Sequence, residues 1–256
     1  MTISVIIPIF NGAKYLRQCL ESIKNQKIRN DNEILEIILI DDNSTDNIED
    51  VFFKEKENLG IQNIFYYKNT KNLGPAKSRN RGTMLAKGDY IAFLDVDDWW
   101  EPTKIQKQID LINKENALFV FTGRKNIYEN NSSKNISCME KVCLNDILKN
   151  NCINCSSVML RKDIAQEFLM ERSDLCEDYY TWLRILQKIP YAYGINEPLI
   201  NYRVQKKSKS SNKFLHAIKR YKVLKLCNIK FFQRVYFITK YAISGVSKYY
   251  IGVRKN

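Results

Sequence analysis

The first 115 residues of this 256-residue chain alternate between short apolar runs and segments of helical spacing, and that alternation limits the folds open to it. Residues 4–9 form a continuous apolar run, the pattern of a strand buried on both faces. Pro8 ends the run and Asn11-Gly12 makes the turn. Leu16, Cys19, Leu20 and Ile23 then recur at the helical period, predicting an amphipathic helix over 13–25. Residues 34–40 read as a second buried strand; Ser44 or Thr45 is placed to cap the helix after it, with Asp46 in the first turn. A third strand is expected over 61–67, followed by the loop NTKNLG and a helix begun by Pro75. A fourth covers 89–94, and Ile105, Ile109 and Ile112 mark one face of a helix after Pro102. The pattern predicts an α/β fold: a Rossmann-like, mostly parallel sheet with helices on both faces.

In open sheets of this kind ligands gather beyond the carboxyl ends of the strands. No GxGxxG or Walker-type loop follows any strand, which excludes the usual dinucleotide and P-loop sites. The first turn offers Pro8, Phe10 and Asn11 instead, and the second offers Asp41 and Asp42. The fourth lies in DYIAFLDVDDWWEP, residues 89–102, where Asp95, Asp97 and Asp98 crowd into four positions. Such acids repel one another, and a divalent cation chelated by a diphosphate would relieve them, because hard cations often use one or two carboxylates plus substrate phosphates. The alternative is a solvated acidic turn with Asp98 capping the next helix. An aromatic face at Phe10, an N–H acceptor at Asp42 and a metal site suit a pyrimidine nucleotide diphosphate; for Phe10 alone the alternative is core packing.

Residues 117–204 are less regular. Short strands are expected over 118–122 and 156–160, a short helix over 145–149, and an Asn/Ser-rich mobile loop over 129–137. In 173–186, Tyr179, Trp182, Leu183 and Leu186 form an apolar helical face with Glu177 and Asp178 at its N-terminal end, where the helix dipole favours acids. Residues 191–202 read as strand and sheet edge around Pro198.

The net charge of +13 is concentrated in the tail. Residues 205–256 hold 14 Lys and Arg and no Asp or Glu, leaving 27 basic and 28 acidic residues elsewhere. Leu215, Ile218, Tyr221 (or Lys222) and Leu224, then Ile229, Phe232 and Tyr236, keep a helical period among these cations. A basic, aromatic-rich amphipathic extension predicts contact with an anionic membrane surface; the alternative is a helix packed on the domain. No nucleic-acid-binding module is visible. The N-terminus reads as a strand rather than a signal peptide, and no stretch of 18 residues is free of charge. Seven irregularly spaced cysteines, including the Cys152/Cys155 CxxC, predict buried thiols in a reducing compartment.

Five segments in order resemble the inverting glycosyltransferases of family 2, which have the GT-A fold and use nucleotide-activated sugars. They are SVIIPIFNGAKYLRQCLESI (4–23), IILIDDNSTD (37–46), NLGPAKSRNRG (72–82), GDYIAFLDVDDWWEP (88–102) and CEDYYTWLRI (176–185). The resemblance implies a GT-A domain over 1–204, with a nucleotide-sugar half (1–115) and an acceptor half (116–204), and a basic helical extension over 205–256. It implies that Pro8 and Phe10 line the base pocket, that Asp42 reads a uracil ring, and that Asp95, Val96 and Asp97 form the DxD motif. There Asp95 meets ribose or metal, and Asp97 holds Mg²⁺ or Mn²⁺ against the diphosphate. Arg79 lies in the segment passing near the donor, and Asp178 matches the general base. YRVQKKSKS resembles a segment that closes over the diphosphate, with Gln205 where many relatives have histidine. His216, the single histidine, lies in the tail and is not expected to be catalytic. The implied partners are a UDP-sugar and a glycan or lipid-linked acceptor, and the implied location is the cytoplasmic face of the plasma membrane. A nucleotidyltransferase or a non-catalytic scaffold are the alternatives, separable by whether pyrophosphate, a nucleoside diphosphate or nothing is released.

Overall fold

β1 (Ile3–Ile9) is the inner strand on which two hydrophobic cores are built. Successive side chains of a strand point to opposite faces. Ile3, Val5, Ile7 and Ile9 accordingly enter one core, where Leu16 and Leu20 of α1 (Ala13–Lys24), Phe52 of α2 (Ile48–Leu59) and Ile109 of α4 (Lys104–Glu115) meet them. Ile6 enters the other, with Ala76 of α3 (Pro75–Leu85) and Trp182 of α7 (Glu177–Lys188). A computed structural model describes residues 1–29, 34–172, 174–205 and 213–241.

β2 (Ile34–Asp41), β3 (Ile64–Lys68) and β4 (Tyr90–Phe93) join β1 in the parallel order β3-β2-β1-β4. Ile9 pairs with Asp41 and Ile6 with Phe93, so the carboxyl ends of β1, β2 and β4 open onto one edge. Pro8 does not end β1. Its missing N–H lies beyond the last β4 pair, where no ladder bond to that strand is needed. The third strand begins later than expected, because residues 61–63 complete the turn after Gly60, a left-handed C-cap at φ 60°.

The second half is mixed. β9 (Met159–Arg161) runs antiparallel to both β4 and β6 (Phe119–Ile127), and β10 (Ala192–Arg203) runs parallel to β6. β5 (Trp99–Trp100) closes the order beyond β10, which is therefore interior rather than an edge; Pro198 sits at its register shifts. The expected mobile loop over 129–137 contains β7 (Ser133–Ile136), hairpinned onto β6, so its Asn and Ser content marks only the tip. β8 (Lys141–Val142) pairs with β10. Residues 155–157 form a 3-10 turn before β9, where a strand was expected from 156.

Several polar side chains act differently from their local pattern. Ser44 and Thr45 do not cap α2, whose N-cap is Asn47. Ser44 Oγ accepts the Asn11 N–H at 2.9 Å, and the Thr45 N–H donates to Asn11 Oδ1 at 2.8 Å. Asp46, ahead of α2, accepts the Ala13 N–H at the start of α1. Asp98 does not cap α4, which follows Thr103. It is 1 % exposed and accepts Ser156 Oγ at 2.6 Å and the Arg203 N–H at 3.1 Å.

In the tail, α8 (Lys213–Leu226) packs on the body. Its docked face is Arg220, Val223 and Leu224, followed by Cys227, while Leu215 and Ile218 are exposed. Arg220 donates to the carbonyls of Ile147 and Leu148 in α5 (Leu144–Lys149), satisfying groups a helix end leaves open. Residues 231–241 are helical again; Phe237 joins the core, whereas Phe231, Phe232, Val235 and Tyr236 face outward. Residues 206–212 and 242–256 of the extension lie outside the described residues. Among those described, no helix is long and apolar enough to cross a membrane.

The first and fourth turns touch directly. A Cβ on Gly12 would fall 2.7 Å from Val96 Cγ1 and 3.3 Å from Ile9 Cγ2, inside a packed core. Gly12→Ala should therefore lower stability by about 1–3 kcal/mol, the usual cost of overpacking. Urea unfolding would measure it, and an unchanged midpoint would contradict the tight contact.

Candidate active site

Two cavities adjoin at the strand carboxyl edge. The first, about 640 Å³, is lined by Pro8, Phe10, Asp42, Arg79, Asp95, Val96 and Asp97, the donor-side residues that the resemblance implied; Asp41, also offered by the second turn, is buried and accepts the Ser44 N–H and the Tyr66 hydroxyl instead. The second, about 540 Å³, contains Asp178 and Glu177. Arg79, Asp95 and Gln205 line both and form their shared wall.

Phe10 is 51 % exposed on the first cavity, so core packing does not account for it. Asp42, by contrast, is buried. Its Oδ1 accepts Asn69 Nδ2 and the Leu73 N–H, both at 2.8 Å, and its Oδ2 accepts the Gly74 N–H at 2.6 Å. These bonds fold the NTKNLG loop back onto β2 and set the start of α3. Gly74, at φ 86°, holds a backbone conformation that side-chain-bearing residues rarely adopt.

α3 then delivers Arg79 into the interior. The helix is locked by Asn80, whose side chain donates to the Met170 carbonyl at 2.7 Å and accepts its N–H at 2.8 Å. Arg79 Nη2 lies 2.5 Å from Asp95 Oδ1, and Nη1 lies 3.8 Å from Glu177 Oε1. One buried guanidinium thus bridges the DVD and ED segments. Burial opposes its charge most strongly, but the surrounding groups, Asp95 foremost and Glu177 among them, together hold its pKa above the ordinary value.

The three crowded acids separate by role. Asp95 pairs with Arg79, and Asp97 accepts Gln205 Nε2 at 2.8 Å at the cavity wall. Asp98 points inward as a brace to Ser156, whose Oγ also accepts the Asp95 N–H at 3.1 Å. Burial, then the charge of Asp95, pushes the Asp97 carboxyl above the usual range. Burial likewise raises Asp178, partly countered by the Tyr179 N–H it accepts at 2.6 Å and by Arg79.

The donor set suits a divalent cation. Asp95 and Glu177 face the Arg79 guanidinium, Asp97 stands beside Asp95, and a diphosphate would bring further negative charge. Among the described residues no three His, Cys, Asp or Glu side chains form a ligand cage. An ion at Asp97 would therefore complete its shell with phosphate oxygens and water, the habit of Mg²⁺ and Mn²⁺ sites. The described cysteines are free thiols, with Cys155 buried against the second cavity.

Several lining residues carry no sequence signal. Arg124 and Asn126 of β6, Asn154, and His216 and Lys219 of α8 all face the second cavity. His216 is thus not remote from the site; its Nδ1 lies 3.1 Å from Tyr241 Oη and its Nε2 3.5 Å from Cys176 Sγ. Arg203 stacks over Tyr15 and Trp99 and donates to the Asp97 carbonyl.

Relatives agree with this architecture. The Glycosyl transferase family 2 model matches residues 4–168. A Bacillus subtilis (strain 168) protein, provisionally named as the teichuronic acid biosynthesis glycosyltransferase TuaG, is 32 % identical over 96 % of both chains. The Escherichia coli UDP-Glc:alpha-D-GlcNAc-diphosphoundecaprenol beta-1,3-glucosyltransferase WfaP is 34 % identical over 98 % of this chain and 97 % of its own. Staphylococcus aureus TarS 1-349, solved with UDP-GlcNAc, superposes with a TM-score of 0.73 at 20 % identity; the match covers 89 % of this chain and 65 % of TarS 1-349, and supports the GT-A fold. Neither the nucleotidyltransferase nor the scaffold alternative survives these matches: the chain belongs to glycosyltransferase family 2 and is a sugar-transferring enzyme.

Proposed function

We propose that the enzyme moves a hexose from a UDP-sugar to a hydroxyl of a lipid-linked glycan, with inversion at the anomeric carbon and the help of a divalent cation. The observation that carries this reading is the shared wall: two cavities meet at Arg79, Asp95 and Gln205, with Asp97 on the first and Asp178 on the second. In-line displacement needs the leaving group and the base on opposite sides of the reacting carbon, and the two cavities supply those sides.

In the first cavity Phe10 offers a ring face to the base. A carboxylate has about four acceptor positions; loop N–H groups occupy three on Asp42, leaving one for a ring N–H. Asp97, with Asp95 beside it, would hold Mg²⁺ or Mn²⁺. When bound, the ion neutralises charge on the departing diphosphate. Gln205, through its bond to Asp97, steadies that carboxylate.

In the second cavity Asp178 takes the proton of the acceptor hydroxyl as its oxygen forms the bond to the anomeric carbon. The carbon–oxygen bond to the diphosphate breaks, and UDP leaves. The raised Asp178 pKa suits a base. The name of WfaP supports a glycosyl diphospholipid as acceptor and UDP as the nucleotide. The outward Phe231, Phe232, Val235 and Tyr236, among the tail's cations, support peripheral contact with the cytoplasmic membrane face, where such an acceptor would lie.

Asp178→Asn should bind UDP normally and lose transfer by about 10²–10⁴-fold, whereas Asp97→Ala should lose the EDTA-sensitive part of UDP affinity. Because Asp178 must be ionised and its pKa is raised, kcat/KM of the wild type should rise with pH through a value above the usual carboxylate range. Full activity of Asp178→Asn would disprove the base assignment.

Deleting the whole extension would strip Val223, Leu224 and Phe237 from the core, so the membrane reading needs a milder test. Replacing Phe231, Phe232 and Tyr236 together by Ser should release the protein from anionic vesicles in sedimentation, with the folded state intact. Unchanged co-sedimentation would refute the contact.

A further inference from the structure

The second cavity holds two cations that the transfer chemistry does not use. Arg124 projects from β6 and Lys219 from α8. Arg79, on the shared wall, is paired with Asp95; neither Arg124 nor Lys219 is paired with a carboxylate among the described residues. Both are half-buried. Two cations on the lining of one cavity present positive charge to an anion that enters it.

The Arg124 guanidinium is held in place, and so is the helix that carries Lys219. Arg124 Nε donates to Asn126 Oδ1 at 3.1 Å, and its guanidinium lies 5.2 Å from the centre of the Tyr202 ring. This fixes a planar fork of the kind that binds phosphate oxygens in pairs. Lys219 adjoins Arg220, which anchors α8 through the α5 carbonyls and lies 4.5 Å from the centre of the Tyr179 ring. Burial, then Arg220 and Lys219, push the pKa of His216, one turn earlier on the same face, below its ordinary value.

From this placement we infer that Arg124 and Lys219 form a subsite for the diphosphate of the acceptor, so that the enzyme selects a glycosyl diphosphate over a neutral glycoside. The inference rests on the transferase reading and deepens it. In a monosaccharide diphospholipid, the kind of acceptor named for WfaP, the hydroxyl that attacks and the carbon bearing the diphosphate belong to one sugar ring. The base and the phosphate-binding groups must then share a cavity without merging. Asp178 lines the same cavity as Arg124 and Lys219, yet the charges acting most strongly on it are Arg79 and Asp95. The acidic set is left to the hydroxyl and the basic set to the phosphates. The same subsite gives α8 a function: one side docks on the body, and Lys219 completes the cavity.

The test is calorimetric titration with two probes at saturating UDP. One is N-acetylglucosaminyl diphosphate on a short alkyl chain, and the other is the uncharged N-acetylglucosaminide of the same chain. The wild type should bind the diphosphate at least about tenfold tighter, the scale of one strong charge-assisted contact. The double variant Arg124→Gln/Lys219→Gln should lose that preference while its UDP affinity is unchanged. Lys219→Gln alone, on a half-exposed helix face, should move the same way and guards against misfolding of the double variant. Equal wild-type affinity for the two probes, no binding of the diphosphate probe, or an unaltered preference in the variants would overturn the subsite. Failure of UDP itself to bind the wild type would instead count against the transferase reading.

Discussion

A single buried guanidinium holds the candidate site together. Arg79 is 7 % exposed at its side chain, pairs with Asp95, and reaches toward Glu177. Burying such a pair gains little net stability, because desolvation of both charges offsets their attraction. Its effect is positional. The DVD turn belongs to the parallel half of the sheet and the ED helix to the mixed half, and no backbone ladder joins those two segments. Arg79 links them, and the Asn80–Met170 exchange fixes the helix that carries it. Its Nε is buried without a hydrogen-bond partner, a further sign that placement here is set by the acids on either side.

The carboxylates around this point divide between structure and chemistry, and burial decides which is which. Asp98, 1 % exposed, has its oxygens committed to Ser156 and Arg203 and braces the acidic turn. Asp42 is nearly as buried but keeps one side on the cavity, so it can anchor the loop and still receive a ligand. Asp97 and Asp178 are the half-buried pair, raised by desolvation yet open to solvent on one side each. Such groups change their interactions readily when a cation or a hydroxyl arrives.

The parallel half was legible because its signals are local. Apolar runs, a proline at N1 of α3, and acids at the ends of β2 and β4 read directly as strands, a helix start and a ligand edge, and Phe10, Asp42, Arg79, Asp95 and Asp97 do meet in one cavity. What escaped depends on contacts distant in sequence. Ser44 and Thr45 have the chemistry of helix caps, but the first turn competes for them and wins through Asn11. The strand pairing of 133–136 lies in a segment whose composition marks loops, because the partner strand rather than the segment supplies its order. Arg124, His216 and Lys219 sit in unremarkable sequence, and the docking of α8 through Arg220, Val223 and Leu224 gathers them. The periodicity of the tail pointed to Leu215, Ile218 and Leu224; Leu224 does pack, with Val223 beside it, whereas Leu215 and Ile218 are exposed.

Nucleotide selection is the most direct test of the central claim, that the strand edge is built for a uridine diphosphate held through a cation at Asp97. Ligands that bind only the folded state raise its apparent stability with occupancy, so no acceptor is needed. Thermal unfolding would be followed with UDP, GDP, CDP and dTDP, each with Mn²⁺ and each with EDTA. The account predicts the largest rise in Tm with UDP and Mn²⁺, and its loss with EDTA. Equal shifts for all four nucleotides, or a UDP shift indifferent to EDTA, would contradict it.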